Sequence, residues 1–174
     1  MTTPSWDELL LHNRDTLAGL YTEVPPLEDV VLRSVHFNVY GPTLVCRLEL
    51  PRFPDLAPDD WRAAGCDRFE LQLHFVLGPQ EDLRMQGMPS GRTVTVRHER
   101  SGGLGQRLLR VSIDGEGCAI RFSCYEELQA AHLNAYNSSD GDASSAPRRF
   151  AGRVDQRLYE TLPPPTRMPF YDSL

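Results

Sequence analysis

The sequence predicts a mainly β fold of the α+β class: an antiparallel β-sandwich or one strongly curved sheet of about seven to eight strands, with an N-terminal amphipathic helix. Three observations predict it. From Phe69 to Leu77, the residues Phe69, Leu71, Leu73, Phe75 and Leu77 alternate with Glu70, Gln72, His74 and Val76. This period of two sends one set of side chains to a core and the other toward solvent. Runs with the same period recur on both sides of it. The connections are short and rich in Gly, Pro, Asp and Ser, which leaves no room for the long crossovers of a parallel sheet. At 174 residues with 40% hydrophobic content, the chain suffices for one domain with its own core plus a modest extension.

Ser5-Trp-Asp-Glu8 matches a capping box, and Trp6, Leu9, Leu10, Leu17, Leu20 and Tyr21 follow at spacings of three and four with a gap at Asn13. The spacing predicts one helix from about Trp6 to Leu20, stopped by Val24-Pro25-Pro26. Val31, Val35, Phe37 and Val39 then share one parity, Gly41-Pro42 turns the chain, and Leu44, Cys46, Leu48 and Leu50 return as the second strand of a hairpin. The prolines from Pro51 to Pro58 cannot supply ladder donors, so that segment connects rather than pairs. Asp59-Asp60-Trp61 is suited to a single helical turn, with acids near its start. After the Phe69–Leu77 strand come Gly78-Pro79, a short strand at Leu83–Met85, and the strand Thr93–Glu99 with Val94, Val96 and His98 on its inward parity. A glycine loop at 101–105, the strand through Leu109, Val111 and Ile113, a hairpin signal at Asp114-Gly115, and the return strand through Cys118, Ile120, Phe122 and Cys124 complete the series.

Residues 126–136 are open on periodicity: Glu126 to Ala131 are helix formers, while the alternation also permits a strand. Residues 137–147 are rich in Ser, Asp, Gly and Ala and read as a flexible linker. Phe150, Val154 and Leu158 recur every four residues in the extension that follows. The expected organisation is a β domain at 1–136, the linker at 137–147 and a C-terminal extension at 148–174.

Charge is unevenly placed. Net charge is −6; ten acids against five arginines put −5 before Asp67, and all 18 basic residues are arginine. Such an acidic face repels nucleic acid and attracts a basic partner. No basic-then-apolar leader or span of roughly 20 apolar residues is present. None of the four cysteines forms a CxxC pair, and Cys46, Cys118 and Cys124 sit in apolar runs, as reduced buried thiols do. Together these predict a cytoplasmic protein with no membrane partner.

Chemical motifs are sparse. The five histidines form no HxH or HExxH pattern, and there is no GxSxG elbow or Walker loop, so no catalytic residue, metal or cofactor is expected. Asp55, Asp59 and Asp60 form the tightest acidic cluster but lack the glycine and distal glutamate of an EF-hand. Trp61 is expected to cap the core. Two other readings are a small-ligand or carbohydrate-binding β accessory domain with a groove lined by Trp61 and tyrosines, and a hydrolase using Glu49 and Glu70, which share outward parity on separate strands.

The order of Trp6, Asn13, Pro26-Leu27, Gly41-Pro42-Thr43-Leu44, Leu50-Pro51, Pro58-x-x-Trp61, Phe69–Phe75, Gly115-x-Gly117, Ile120-Arg-Phe122-Ser-Cys124 and Ala135-Tyr136 resembles the immunity proteins numbered fifty among those of bacterial polymorphic-toxin systems. The resemblance spans about Trp6 to Tyr136. It implies a final strand near Leu128–Tyr136, and a non-catalytic protein that neutralises a cognate toxin by binding it. Trp6, Gly41, Trp61 and Tyr136 look structural, so no binding residue carries over. On charge alone, Glu23, Glu28, Asp29, Asp55, Asp59 and Asp60 are the partner-binding candidates, set to dock against a basic active-site cleft such as a nuclease presents.

Overall fold

A computed structural model describes residues 3–39, 41–79, 83–103 and 105–164; the last ten residues of the expected extension lie outside them. After a 3-10 turn at Trp6–Leu9 come β1 (Leu10–His12), α1 (Arg14–Leu20), β2 (Val30–Asn38), β3 (Thr43–Glu49) and α2 (Asp59–Ala63). Then follow β4 (Arg68–Leu77), β5 (Arg84–Gln86), β6 (Arg92–Ser101), β7 (Leu108–Gly115), β8 (Cys118–Tyr136), β9 (Arg149–Phe150) and α3 (Arg153–Leu158).

Six strands close on themselves in the order β8-β4-β3-β2-β6-β7 and back to β8, each pair antiparallel. Of the two expected forms, a sandwich or one strongly curved sheet, the sheet curves until it closes as a barrel, which removes sheet edges that a sandwich leaves open. The closing device is β8. Its first half pairs with β7, from Cys118 opposite Gly115 to Tyr125 opposite Leu108. Its second half pairs with β4, from Leu128 opposite Phe75 to Tyr136 opposite Arg68. Between them the register shifts, Cys124 facing Leu77 and Leu128 facing Phe75, and such bulges bend a strand. A second shift, Asn134 facing Glu70 and Ala131 facing Gln72, coincides with left-handed backbone at His132 (φ 52°). Residues 126–136 are thus strand despite their helix propensity, because both edges of β8 are hydrogen-bonded to neighbours.

The alternation read from the sequence fills the barrel. Leu44, Cys46, Leu48, Leu71, Leu73, Ile113 and Ile120 are buried inside it, and Phe75 meets Phe122 edge-on at 5.0 Å. The expected parity of β2 does not hold throughout: Val30 and Leu32 fill the core, a register shift between Leu32 and Ser34 changes the facing set, and Phe37 and Val39 are exposed. Trp61 sits on α2, a single turn as expected, with its ring 6.1 Å from Phe69, which also meets Tyr21 edge-on at 5.8 Å. These three rings cap one end of the core. Burial pushes the Cys46 and Cys124 thiols up to about 12, so both remain protonated hydrophobes.

The N-terminal helix is shorter than its pattern. The Glu8 carboxylate accepts the Ser5 N–H at 3.1 Å, but the turn it starts runs only to Leu9, and Leu10 then pairs in parallel with Leu128. Asn13 adopts left-handed backbone (φ 60°), donates from Nδ2 to the Ala130 carbonyl at 2.8 Å, and only there does α1 begin. A side chain that bonds to β8 has stopped one helix and started another. Trp6 still reaches the core, its Nε1 donating to the Pro25 carbonyl at 3.0 Å.

The expected Asp114-Gly115 turn lies two residues later, since Gly115 pairs with Cys118 and Glu116-Gly117 make the turn. Gly115 is instead needed within the strand: a Cβ there would stand 2.6 Å from the Thr93 carbonyl oxygen. Gly115→Val should therefore destabilise the fold by about 1–3 kcal/mol, as overpacking does, measured by urea unfolding.

Candidate partner-binding surface and a buried ionic cluster

The six acids nominated by charge do not form one patch. All are exposed. Asp55 accepts hydrogen bonds from the Thr22 N–H (3.1 Å) and the Thr22 hydroxyl, tying the loop before α2 to the segment after α1 that carries Glu23. The Thr22 hydrogen bonds hold the Asp55 carboxyl below the usual carboxylate range. Asp59 and Asp60 occupy the first turn of α2, just beyond Asp55. Glu23, Asp55, Asp59 and Asp60 thus share one apron. Arginines thread through it: Arg52 donates to the Glu23 carbonyl, Arg62 to the Asp55 carbonyl at 2.7 Å, and Arg149 lies 3.8 Å from Asp60. Glu28 lines a different cleft, with Ser5, Trp6, Arg97 and His98. Asp29 stands beside it in left-handed backbone (φ 55°) at the entry to β2.

The outer face of β4 carries the other concentration of charge. Parity sends Glu70, Gln72 and His74 outward, and the sequence reading put that face in solvent, yet all three are buried. The cover comes from the chain's own extension. β9 pairs with the end of β8, Phe150 opposite Asn134, and Phe150 and Asp155 are each 1% exposed. Beneath it, Glu49, Glu70 and Asn134 lie in one row across β3, β4 and β8.

Two adjacent carboxylates under cover require cations, and arginines supply them. Arg33 reaches Glu49 at 2.7 Å, and Arg47 and Arg148 flank Glu70 at 3.1 and 3.2 Å. The contacts to Glu70 are ionic, since among the described residues neither of its oxygens receives a hydrogen bond of good geometry. Burial pushes the Glu70 carboxyl up, against the pull of Arg148 and Arg47. Arg148 also donates to Asn134 Oδ1 at 3.0 Å and lies over the Tyr136 ring at 3.9 Å. The Tyr136 hydroxyl donates to Glu49 at 2.7 Å, and burial together with that carboxylate pushes the phenol up to about 12. Alongside, His132 Nδ1 lies 3.0 Å from both Asp155 oxygens.

This arrangement pairs its charges internally. Glu49 and Glu70 are paired and covered, unlike an acid–base pair that must meet a substrate. Trp61, Tyr21 and Tyr136 are all buried, so none lines an open aromatic groove. Among the described residues no three His, Cys, Asp or Glu side chains are placed to hold a metal ion, and no helix is long and apolar enough to cross a membrane. Arg148 and Asp155, which complete the cluster, are not legible in the sequence; the apolar period of the extension is a partial signal, since Phe150 is buried but Leu158 is 60% exposed.

Comparison with known proteins places this arginine-sealed barrel in the class of immunity proteins. The family model described as Immunity protein 50 matches residues 13–127, about two thirds of the chain, and the chain belongs to that family. The matched region runs from the Asn13 corner into the bend of β8. No curated protein and no solved structure matches.

Proposed function

We propose that this protein neutralises the cognate toxin of a bacterial polymorphic-toxin system in the cytoplasm, by occupying the toxin's active-site cleft without turnover. Family membership is the observation that carries this reading. The apron of Glu23, Asp55, Asp59 and Asp60 is the contact surface we infer, with a basic cleft of the nuclease kind as its complement and Glu28 and Asp29 outside its centre. The support is the exposure of these acids and the −5 charge before Asp67. Charge of this kind acts mainly on the rate of encounter.

The test is a titration of the toxin domain recovered from the source organism with this protein. Toxin activity should fall to nothing at one equivalent, and Asp59→Arg with Asp60→Arg should slow association roughly tenfold at low salt while dissociation changes less. A stoichiometric complex that leaves the toxin active would refute occlusion. Unchanged association would remove the apron from the interface.

A further inference from the structure

The outer faces of β6, β7 and β8 carry the sign opposite to the apron. Their outward rows hold Arg97, Arg110 and Arg121 against Glu99 and Asp114, a net +1 within a chain of net −6, while Arg100 and Arg107 are paired with Glu126. Strand register arranges the outward side chains in rows: Thr95, Asp114 and Ala119, then Arg97, Ser112 and Arg121, then Glu99, Arg110 and Ser123. The middle row sets a guanidinium on each side of a short hydroxyl, on strands about 4.8 Å apart. Because Ser112 and its neighbour Ser123 are short, the arginines stand as walls above a floor. A groove of about 390 Å³ opens there, lined by Arg97, His98, Glu99, Arg110, Ser112 and Arg121.

Two of the three cations in this groove, Arg97 and Arg110, are lightly committed, and the third, Arg121, is held. Arg97 is exposed and has no ion-pair or hydrogen-bond partner among the described residues. Arg110 lies 3.6 Å from Glu99 with both side chains about two-thirds exposed, a pairing that water and salt screen heavily. Arg121 is held by Asp114 at 2.5 Å and by its neighbour's carbonyl, which fixes its guanidinium in place. A planar guanidinium pairs with a carboxylate through two parallel N–H bonds, and two of them flanking a hydroxyl donor make a seat for such a group.

We propose that this groove docks a short acidic segment of a protein, with its carboxylates held between Arg97 and Arg121 over Ser112. Charge complementarity selects the sign of the occupant, and two features select its size. The groove holds a few side chains, and the net −6 of the whole molecule repels a long polyanion beyond the reach of the arginines. This inference stands apart from toxin neutralisation through the apron, because it uses other strands and the opposite charge.

Fluorescence anisotropy with labelled hexaglutamate tests it, with a single-stranded hexathymidylate and inorganic phosphate as comparison ligands. Hexaglutamate should bind saturably and more weakly as salt rises. Arg97→Ala with Arg121→Ala should weaken it about tenfold or more, while Arg157→Ala on α3 leaves it unchanged. Ser112→Asp, which puts a carboxylate in the floor, should block binding with both arginines intact. Unaltered thermal unfolding of each variant separates lost binding from lost fold. Absence of saturable binding, equal binding by the double variant, or binding of hexathymidylate or phosphate as tight as that of hexaglutamate would each overturn the assignment.

Discussion

Arg148→Met should lower the free energy of unfolding by about 3–5 kcal/mol, and adding Glu70→Gln should restore most of that loss. The expectation follows from what Arg148 touches. Its side chain and that of Glu70 are both wholly buried, and their 3.2 Å contact is one of two that neutralise the carboxylate. Removing the cation leaves Arg47 alone to hold a desolvated charge, strips a donor from Asn134, and empties the face of Tyr136. A surface pair would lose under about 1 kcal/mol. The pH dependence has a definite sign. Burial already pushes the Glu70 carboxyl above its ordinary value of 4.5, and without Arg148 it moves further up. A folded carboxyl with a raised pKa loses stability as pH rises from the unfolded value through the folded one. The Arg148→Met deficit should therefore be larger at neutral pH than near 4.5. Urea unfolding of the two single variants and the double variant at both pH values decides it; a deficit of surface-pair size, or one untouched by Glu70→Gln, would show that this is not a charge cluster holding the extension down.

The second large effect belongs to His74. Burial first, and then the nearby His132, lower its pKa from 6.5 to about 4. Among the described residues, neither ring nitrogen has a hydrogen-bond partner. The unfolded chain takes up a proton near pH 6.5, whereas the folded one resists until about 4. Stability from keeping this ring neutral is thus complete above 6.5, is lost as pH falls through that window, and falls no further below it. The window is worth about 3 kcal/mol at 1.36 kcal/mol per unit. His74→Phe should accordingly match or exceed the wild type at pH 7, since an unpaired imidazole is exchanged for a ring of similar shape. Between pH 6.5 and 4 it should gain about 3 kcal/mol relative to the wild type. Groups present in both proteins, Glu70 among them, cancel to first order in that difference. Stability curves that stay parallel across the window would show that His74 protonates freely in the folded protein.

Much of the barrel was legible because period-two alternation is a local signal. The inward parity of β3, β4, β6 and β7 is the parity that fills the core, whereas in β2 the shift between Leu32 and Ser34 puts Val30 and Leu32 inside and leaves Phe37 and Val39 exposed. What the sequence concealed depends on distant partners. The outward parity of Glu70 and His74 was right in direction and silent about cover, since the residues that bury them arrive some eighty positions later. The stripe from Trp6 to Leu20 carried its own warning in the gap at Asn13, but only the Ala130 carbonyl opposite explains why the backbone turns there. The helix formers from Glu126 to Ala131 became strand because two neighbours claim their edges. Of the acids, proximity in sequence brought Asp55, Asp59 and Asp60 together, while Glu28 shared their sign and went to another cleft.

One strand belonging to both halves of a barrel makes the closure all-or-none. Cys118–Tyr136 exchanges hydrogen bonds with β1, β4, β5, β7 and β9, so neither half can open while the other stays intact. Its partners are also remote: Leu10 waits for Leu128, and Arg68 for Tyr136. A topology dominated by such non-local pairings folds late and slowly, on the millisecond-to-second scale typical of closed β architectures. The newly made chain therefore carries unpaired β4 and β7 edges until β8 has left the ribosome, and the barrel closes in a single final step.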